Sequence, residues 1–297
     1  MIESPHKEFF KVDLRNKDNL EEIFHKAKKA NQPIEAVIHF AGLKSISEST
    51  SKPLDYWDNN LIGTINLLQV MNKFNCKTIV FSSSASIYQT SNKKSLVEND
   101  LINPLSAYGE TKFTIEKVLS NIYFSSREWK IANLRYFNPI SSHESGLIGE
   151  DPQSTPNNIY PRILQVAFGN LKEIQIYGND WPTKDGTAVR DYIHVMDLAE
   201  GHIAALEALT QSENKIINLN LGTGKGTSVL ELVNTFEMVN NIKIPYEIAN
   251  RREGDCPTVI ADNSLALSYL DWEPKRSLED MCLDGWKWQS LNPEGYN

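Results

Sequence analysis

The chain has 297 residues, of which 40% are hydrophobic and 23% charged, and its formal net charge is −8. These values are typical of a soluble globular protein, exclude a fibrous or disordered chain, and argue against a surface that binds nucleic acid. No apolar segment is long enough for a membrane span, and the N-terminus shows no secretory signal pattern. The widely spaced Cys76, Cys256 and Cys282 predict neither disulfides nor a metal site, so we expect a cytoplasmic protein.

The hydrophobic pattern predicts strands that alternate with helices. Apolar residues at helical spacing mark the segment 18–30, and the run at 36–40 is typical of a strand buried on both faces. In chain order the predicted elements are a strand over 8–13, a helix over 18–30, a strand over 36–40, a helix over 61–71, a strand over 78–81, a helix over about 108–122 and a strand over 130–136. This alternation indicates right-handed βαβ units and a parallel sheet.

The character of the sequence changes after Pro139, where loops rich in Ser, Gly, Pro and Asn begin. The remaining predicted elements are helices over 160–169 and 191–209 and a strand over 216–219. No clean linker separates two lobes, so we expect them to be interleaved. The predicted domains are 1–139, joined by about 188–215, and a smaller α+β lobe of 140–187 and 216–297.

Three serines and a Tyr-x-x-x-Lys pair stand out. Ser84 follows the strand predicted at 78–81, and we place it on the loop after that strand. Tyr108 and Lys112 share one face of the next predicted helix, where the ammonium group favours the phenolate. Alone, such a pair is more often a solvated structural pair, but the order of strand, serine loop and helix favours alcohol or carbonyl redox chemistry.

The chain resembles the extended short-chain dehydrogenases/reductases and, among them, the UDP-glucose 4-epimerase family. The motifs that carry this resemblance run in order over nearly the whole chain and are 37–44, 81–84, Tyr108 with Lys112, 134–139, 149–152, 190–195 and 251–255. The resemblance implies a Rossmann-like doubly wound parallel sheet with a smaller substrate-binding lobe. It also implies that UDP-galactose and UDP-glucose are interconverted through a 4-keto sugar, with tightly bound NAD.

The resemblance further implies residue roles. Tyr108 is the base, Lys112 lowers the pKa of the tyrosine and holds the nicotinamide ribose, and Ser84 hydrogen-bonds the reacting oxygen. Cofactor contacts, besides these three, are implied for Asp13, Leu14, Phe40, Ala41, Gly42, Leu43, Lys44, Asn59 and Phe137. Substrate contacts are implied for Lys44, Ser84, Tyr108, Asn138, Asn158, Gln175, Ile176, Tyr177, Arg190, Arg252 and Asp255. No metal is expected, and His39 and His194 are predicted to be core histidines.

By alignment with the family, this sequence begins after four of the family's elements. These are a first strand, a Gly-x-x-Gly-x-x-Gly turn, a helix and a second strand. We expect a reading frame that begins at an internal methionine, and an uncovered apolar sheet edge beside the strand at 36–40. The glycine cluster at 221–226 imitates a phosphate-binding loop, but its late position favours a tight strand-to-helix turn. An alternative therefore stays open, a non-catalytic UDP-sugar-binding protein without NAD.

Within the enzymes, a nucleotide-sugar 4,6-dehydratase or decarboxylase is the nearest rival. Relatives of those types carry an acidic residue just after the serine or threonine of the strand loop, whereas Ala85 follows Ser84 here. The small side chain of Val259 suggests room for an N-acetyl group on the sugar. The resemblance also implies a homodimer formed through the helices around 58–71 and 108–122.

Overall fold

The structure is a computed structural model that describes residues 8–89, 93–152, 156–211, 213, 215–252 and 254–296. Its contacts define two compact units. The first unit comprises residues 1–89, 101–135 and 202–219, and the second comprises 90–100, 136–201 and 220–297. Chain segments therefore alternate between the units, while the predicted domain boundaries at 139, 187 and 215 stay predictions.

The helices and strands follow one another closely along the chain. Up to residue 136 they are α1 Lys17–Lys29, β1 Ala36–His39, α2 Ile46–Ser51, α3 Pro53–Tyr56, a π-helix Trp57–Ile62, α4 Gly63–Lys73, β2 Thr78–Ser84, a 3-10 turn Ala85–Ile87, α5 Ala107–Ser125 and β3 Lys130–Tyr136. After it they are β4 Asn138–Ile140, α6 Ile159–Phe168, β5 Ile174–Tyr177, β6 Val189–Arg190, β7 Tyr192–His194, α7 Val195–Gln211, β8 Ile216–Leu221, β9 Thr227–Ser228, α8 Val229–Asn240, β10 Tyr246–Ala249, β11 Thr258–Val259, α9 Ser264–Leu270 and α10 Leu278–Leu291.

A four-stranded sheet with the order β1-β2-β3-β8 forms the centre of the first unit. β1 and β2 are parallel, with Val37 opposite Ile79. The helix α1 begins where the side chain of Asn16 caps it, and its residues Leu20 and Phe24 lie one turn apart and are buried. They join a core that includes Ile79 and further apolar residues of α4, α5 and β3. Each such buried side chain contributes about 1.5–3 kcal/mol of transfer free energy.

Two predictions at the start of the chain are wrong. Residues 8–13 form no strand, and their backbone is not paired with any strand of the sheet. The strand predicted at 36–40 exists as β1, but only His39 among its residues is fully buried. β1 lies at the edge of the four-stranded sheet, and an edge strand is covered less than a central one.

The predicted helix over 191–209 begins later than the sequence indicates. Tyr192–His194 form β7, whose residues pair in parallel with β4, and α7 starts only at Val195. Tertiary pairing with Asn138–Ile140 therefore overrides the helical spacing of the first residues. The other predicted helices agree with α1, α4, α5 and α6, although the π-helix before α4 was not expected.

The described part of the second unit contains three small sheets and its own core. β5 pairs with β10 in parallel, β6 lies between β9 and β11, and β4 pairs with β7. Its core gathers apolar residues of α6, β5, α8 and α10, including Ile163, Ile176 and Phe236. The helices α8 and α10 each begin with a capping box, which satisfies backbone N–H groups at their first turns.

Candidate functional site

Ser84 is the last residue of β2, so the predicted loop position is wrong. The strand, which lies between β1 and β3, includes all three serines, and their side chains are buried. The Ser84 hydroxyl oxygen accepts a hydrogen bond from the Ser86 backbone N–H at 3.1 Å, which caps the 3-10 turn that follows. A strand end and a tight turn together fix the direction of this hydroxyl.

Tyr108 lies in the first turn of α5, and its side chain is only 8% exposed. The Ser84 hydroxyl lies close enough to its phenol to lower the pKa of Tyr108. The helix begins where the Ser106 side chain accepts from the Gly109 N–H at 3.1 Å. A Cβ atom at Gly109 would lie 2.6 Å from the backbone oxygen of Ser86, so the absence of a side chain brings the helix start against the turn after Ser84.

Lys112 lies one helical turn after Tyr108 and is buried. Its ammonium donates to the backbone oxygen of Ser82 at 2.7 Å, and its Nζ atom lies 5.9 Å from the centre of the Tyr108 ring. Burial lowers the pKa of Lys112 to about 8. The side chain therefore still carries its charge at neutral pH, beside the phenol.

The pKa of Tyr108 is shifted opposite to the sequence prediction. Burial raises the pKa of the phenol, and the hydrogen bond from Ser84 offsets part of this shift. The Lys112 ammonium donates to the Ser82 carbonyl, and its role in lowering the pKa of the tyrosine stays a prediction. At neutral pH the phenol is protonated, and it becomes a base only when a bound group stabilises its phenolate.

The loop after β1 is clamped by a residue that the sequence prediction missed. Asn60 lies in the π-helix, and its side-chain oxygen accepts from the Leu43 N–H at 2.7 Å. Its amide nitrogen donates to the Leu43 carbonyl and to the Thr111 hydroxyl, each at 3.1 Å. The prediction named the neighbouring, half-buried Asn59. A π-helix is frequent at functional sites, but its position follows no simple sequence pattern.

This loop presents groups that fit a nucleotide cofactor. The ring of Phe40 is 55% exposed and lies 4.6 Å from the His202 ring. Ala41, Gly42 and Lys44 are exposed at the carboxyl end of β1, where ligands of parallel sheets bind. Small residues allow a ligand to approach the backbone closely, and a lysine attracts phosphate.

Asp13 and Leu14 also lie in the first unit. Arg15 hydrogen-bonds the Asp13 side chain and lowers its pKa to about 2, so this group is a carboxylate at neutral pH and can accept from ribose hydroxyls. Leu14 packs where α4 begins, since a Cβ atom at Gly63 would lie 3.1 Å from the Leu14 Cβ.

In the second unit, Arg190 and Asp255 lie together. The Arg190 Nη1 group donates to the Val189 carbonyl at 2.9 Å and to the Cys256 carbonyl at 3.0 Å, and its Nη2 atom lies 3.3 Å from Asp255. These contacts hold one edge of the planar guanidinium group in place. A fixed guanidinium group suits a phosphate ligand.

The predicted base-binding segment Gln175–Tyr177 lies in β5. Gln175 is exposed and accepts from the Tyr177 hydroxyl at 3.0 Å. The guanidinium of Arg252 stacks over the Tyr177 ring at 3.7 Å. Ile176 belongs to the hydrophobic core, so only its backbone is available to a ligand. Glu253, which belongs to the motif at 251–255, lies outside the described residues.

The three remaining predicted contact residues also belong to the second unit. Phe137 is buried, and the next residue, Asn138, is half-buried in β4. Asn158 is exposed at the N-cap of α6, and its side chain makes no capping hydrogen bond. The helix end therefore does not use the Asn158 amide group for capping.

The glycine cluster at 221–226 is a turn, as predicted, and binds an internal carboxylate. The Asp191 side chain accepts from the Thr223 N–H at 2.8 Å, the Thr223 hydroxyl at 2.6 Å and the Gly224 N–H at 3.0 Å. The Ala261 N–H donates to it at 3.1 Å. The N–H groups that imitate a phosphate cradle are thus occupied, and Asp191 is no ion-pair partner of Arg190.

The two histidines are core residues, as predicted. His39 is buried with its Nε2 atom 2.8 Å from the Thr64 hydroxyl. His194 is buried, and its Nε2 atom lies near both Ser141 and Asp284. Because both neighbours share one nitrogen, they do not form the serine–histidine–acid relay of hydrolases.

No cluster of three or more His, Cys, Asp or Glu residues that could hold a metal occurs within the described ranges. All three cysteines are free. In the part of the chain that the structure describes, no helix is long and apolar enough to cross a membrane.

Comparisons with known proteins agree with this geometry. The sequence model of the family described as GDP-mannose 4,6 dehydratase matches residues 2–284. The bifunctional UDP-glucose 4-epimerase and UDP-xylose 4-epimerase 1 of Pisum sativum is 50% identical over 295 residues, which is 99% of this chain and 83% of the relative. The UDP-glucose 4-epimerase of Bacillus subtilis (strain 168) is 48% identical over 288 residues, or 97% of this chain and 83% of the relative.

A solved structure is similar over nearly the same range. The UDP-glucose-4-epimerase from Stenotrophomonas maltophila, with bound NAD and formylated UDP-arabinopyranose, has a TM-score of 0.91 and 43% sequence identity. The likeness covers 96% of this chain and 83% of that chain. It confirms the predicted α/β fold of the Rossmann-like type. The chain therefore belongs to the UDP-glucose 4-epimerase family of the extended short-chain dehydrogenases/reductases.

Proposed function

We propose that this chain is a UDP-glucose 4-epimerase, an isomerase that interconverts UDP-galactose and UDP-glucose through a 4-keto sugar with tightly bound NAD. The observation that carries the proposal is the grouping in the first unit of the buried Ser84 hydroxyl, the buried Tyr108 phenol, whose pKa Ser84 lowers, and the Lys112 ammonium one turn further along α5. The family membership, and the NAD in the similar structure, support it.

Tyr108, Ser84 and Lys112 of the first unit carry out or support the proton transfers. Tyr108 takes the proton of the sugar 4-hydroxyl as that carbon is oxidised, and it returns a proton when the 4-keto group is reduced on its other face. Ser84 hydrogen-bonds the reacting oxygen and orients it towards the phenol. Lys112 carries a positive charge 5.9 Å from the ring, where it stabilises a phenolate by Coulomb attraction. NAD, when bound, accepts and returns the hydride.

Apart from Phe137, the groups that fit NAD belong to the first unit, as Ser84, Tyr108 and Lys112 do. Lys44 attracts the pyrophosphate, Phe40 offers an exposed ring, and Asp13 accepts from ribose hydroxyls near the adenine. Lys112 also holds the nicotinamide ribose. We assign the remaining contacts to Leu14, Ala41, Gly42, Leu43, Asn59 and Phe137.

The substrate contacts follow from the chemistry of a UDP-sugar. Arg190 and Arg252 bind the diphosphate, because guanidinium groups make paired hydrogen bonds with phosphate oxygens. Asp255 accepts from the uridine ribose, and Gln175 to Tyr177 meet the uracil edge. Asn138 and Asn158 bind the diphosphate or the sugar, and the small Val259 leaves room for an N-acetyl group.

The dehydratase named by the family model is a weaker candidate. A 4,6-dehydratase removes a second proton from the sugar and needs an acidic residue just after the serine or threonine that corresponds to Ser84. Here Ala85 follows Ser84. The relatives at about half identity are epimerases. We further infer a cytoplasmic homodimer, formed through the helices around 58–71 and 108–122, that binds neither nucleic acid nor membranes, in keeping with the net charge of −8.

The test is an assay of UDP-galactose conversion to UDP-glucose by the purified chain with NAD supplied, together with the absorbance of nucleotide released on denaturation. We expect turnover and bound NAD, and we expect Tyr108→Phe to abolish turnover while it retains NAD. Tyr246→Phe, a change at an exposed tyrosine of β10, is the matched control. Folded protein without turnover at saturating NAD and substrate refutes the proposal.

A further inference from the structure

A buried ion pair lies in the first unit, on the face of α5 that carries Tyr108. Glu116 comes one turn after Lys112 and two turns after Tyr108. One carboxylate oxygen of Glu116 accepts from the Arg135 Nε atom at 3.0 Å, and the other accepts from Arg135 Nη2 at 2.7 Å. Both side chains are buried, with exposed fractions of 3% for Arg135 and 6% for Glu116. Arg135 belongs to β3, so this forked pair ties α5 to the sheet.

The ion pair reaches both chain segments that adjoin Ser84. The Ser83 hydroxyl, one residue before Ser84, donates to Glu116 at 2.5 Å. Arg135 Nη1 donates to the Tyr88 hydroxyl at 3.1 Å, just after the 3-10 turn that follows Ser84. We call these four residues the buried frame. It joins β2, the turn after it, α5 and β3 through directional hydrogen bonds.

We propose that Glu116 and Arg135 are positioning residues that hold Ser84 against Tyr108, an inference that rests on the proposed function. A buried ion pair is a poor source of stability, since an apolar pair of similar volume is often equally stable or more stable. What an apolar pair cannot supply is direction. Two parallel hydrogen bonds from Arg135 fix the distance and the rotation of α5 relative to β3, and a third from Ser83 ties α5 to β2.

The test separates position from stability. In the double variant Glu116→Met with Arg135→Met, apolar side chains of similar length fill the space, so we expect thermal unfolding at the same or a higher temperature. We expect kcat to fall by about tenfold to a hundredfold, because a displacement of about 1 Å at the reacting groups costs up to about 10²-fold. KM for UDP-galactose should stay unchanged, because the proposed diphosphate-binding arginines belong to the second unit.

A matched control removes another ion pair of the same unit. Glu21 on α1 and Lys73 on α4 form a pair at 2.5 Å. Glu21→Met with Lys73→Met deletes the same two charges without touching the buried frame, and it should keep the full kcat. A second variant, Ser83→Ala with Tyr88→Phe, keeps the ion pair and removes the hydrogen bonds from Ser83 to Glu116 and from Arg135 to Tyr88. The kcat of this variant should be about fivefold lower, which is the effect of about one hydrogen bond. This variant replaces the double Met variant in the test if the latter does not fold.

A kcat equal to that of the control in both frame variants overturns the proposal. A crystal structure of the double Met variant gives a readout without turnover, and we expect the Ser84 hydroxyl to lie beyond hydrogen-bond reach of the Tyr108 phenol. If the unmodified chain has no turnover, the proposed function fails, and the retained or lost Ser84–Tyr108 bond in that crystal structure alone decides on the buried frame.

Discussion

Gly109→Ala tests how closely α5 must approach the turn after Ser84. The added Cβ would lie 2.6 Å from the Ser86 carbonyl oxygen and 2.8 Å from the Pro104 Cβ. Ordinary contact begins near 3.4 Å, so the helix start has to retreat by about 0.8 Å. The obstacle is a backbone carbonyl, which cannot rotate away as the end of a flexible side chain can.

Two effects on stability oppose each other in this variant. Alanine in a helix is favoured over glycine by about 0.8–1.0 kcal/mol. Overpacking against fixed neighbours costs about 1–3 kcal/mol. The free energy of unfolding should therefore fall by no more than about 2 kcal/mol, and the protein should stay folded. The larger effect falls on turnover, since a retreat of about 0.8 Å carries Tyr108 away from Ser84 and should lower kcat by roughly 10²-fold.

The assay compares kcat and urea unfolding of Gly109→Ala with those of Gly201→Ala. Gly201 is also helical, but its added Cβ would meet only side-chain atoms, with Leu221 Cδ1 at 3.1 Å and Trp272 Cε2 at 3.3 Å. These side chains can adjust, so this control should keep its activity. A folded Gly109→Ala protein with the kcat of the control would show that the separation of Ser84 and Tyr108 does not limit the reaction.

The burial of Lys112, whose pKa falls from 10.5 to about 8, destabilises the folded protein at neutral pH, and this penalty disappears as pH rises from about 8 to 10.5. Thermal unfolding of the wild type should therefore improve over that window relative to Lys112→Met, and a constant difference contradicts the shift. Tyr296→Phe removes hydrogen bonds to the N–H and carbonyl of Gly149 at 2.9 and 3.0 Å, so urea unfolding should show a loss of about 1 kcal/mol that Tyr246→Phe lacks. Asp191→Asn turns an amide NH₂ towards the N–H groups that the carboxylate accepts from, so the free energy of unfolding in urea should fall by about 3 kcal/mol. A fall below about 1 kcal/mol would contradict these hydrogen bonds to Asp191.

The sequence predicted the candidate reacting groups because the proposed chemistry restricts residue type. A tyrosine and a lysine four residues apart share a helix face wherever that helix lies, so Tyr108 and Lys112 could be paired without coordinates. The strand before Ser84 was equally visible as an apolar run. Its end was not, because serines 82–84 are polar in composition but buried in the fold.

Predictions failed where a distant segment decides the local structure. Tyr192–His194 have helical spacing with the residues after them, yet they pair with β4 more than fifty residues earlier. Residues 8–13 have the composition of a strand, but their backbone pairs with no strand of the sheet. The predicted direction of the Tyr108 pKa shift was wrong for the same reason, since burial by distant segments raises this pKa.

The residues that sequence reasoning missed all act through a partner far along the chain. Asn60 hydrogen-bonds Leu43 and Thr111, and Gly109 lies against the backbone oxygen of Ser86. None of these residue types is unusual at its position, so no local pattern marks them. Such supporting contacts nevertheless hold the loop after β1 and the start of α5 in place, and a general base acts only within hydrogen-bond reach. Two chains with the same Ser, Tyr and Lys can therefore differ widely in kcat through residues that never touch the sugar.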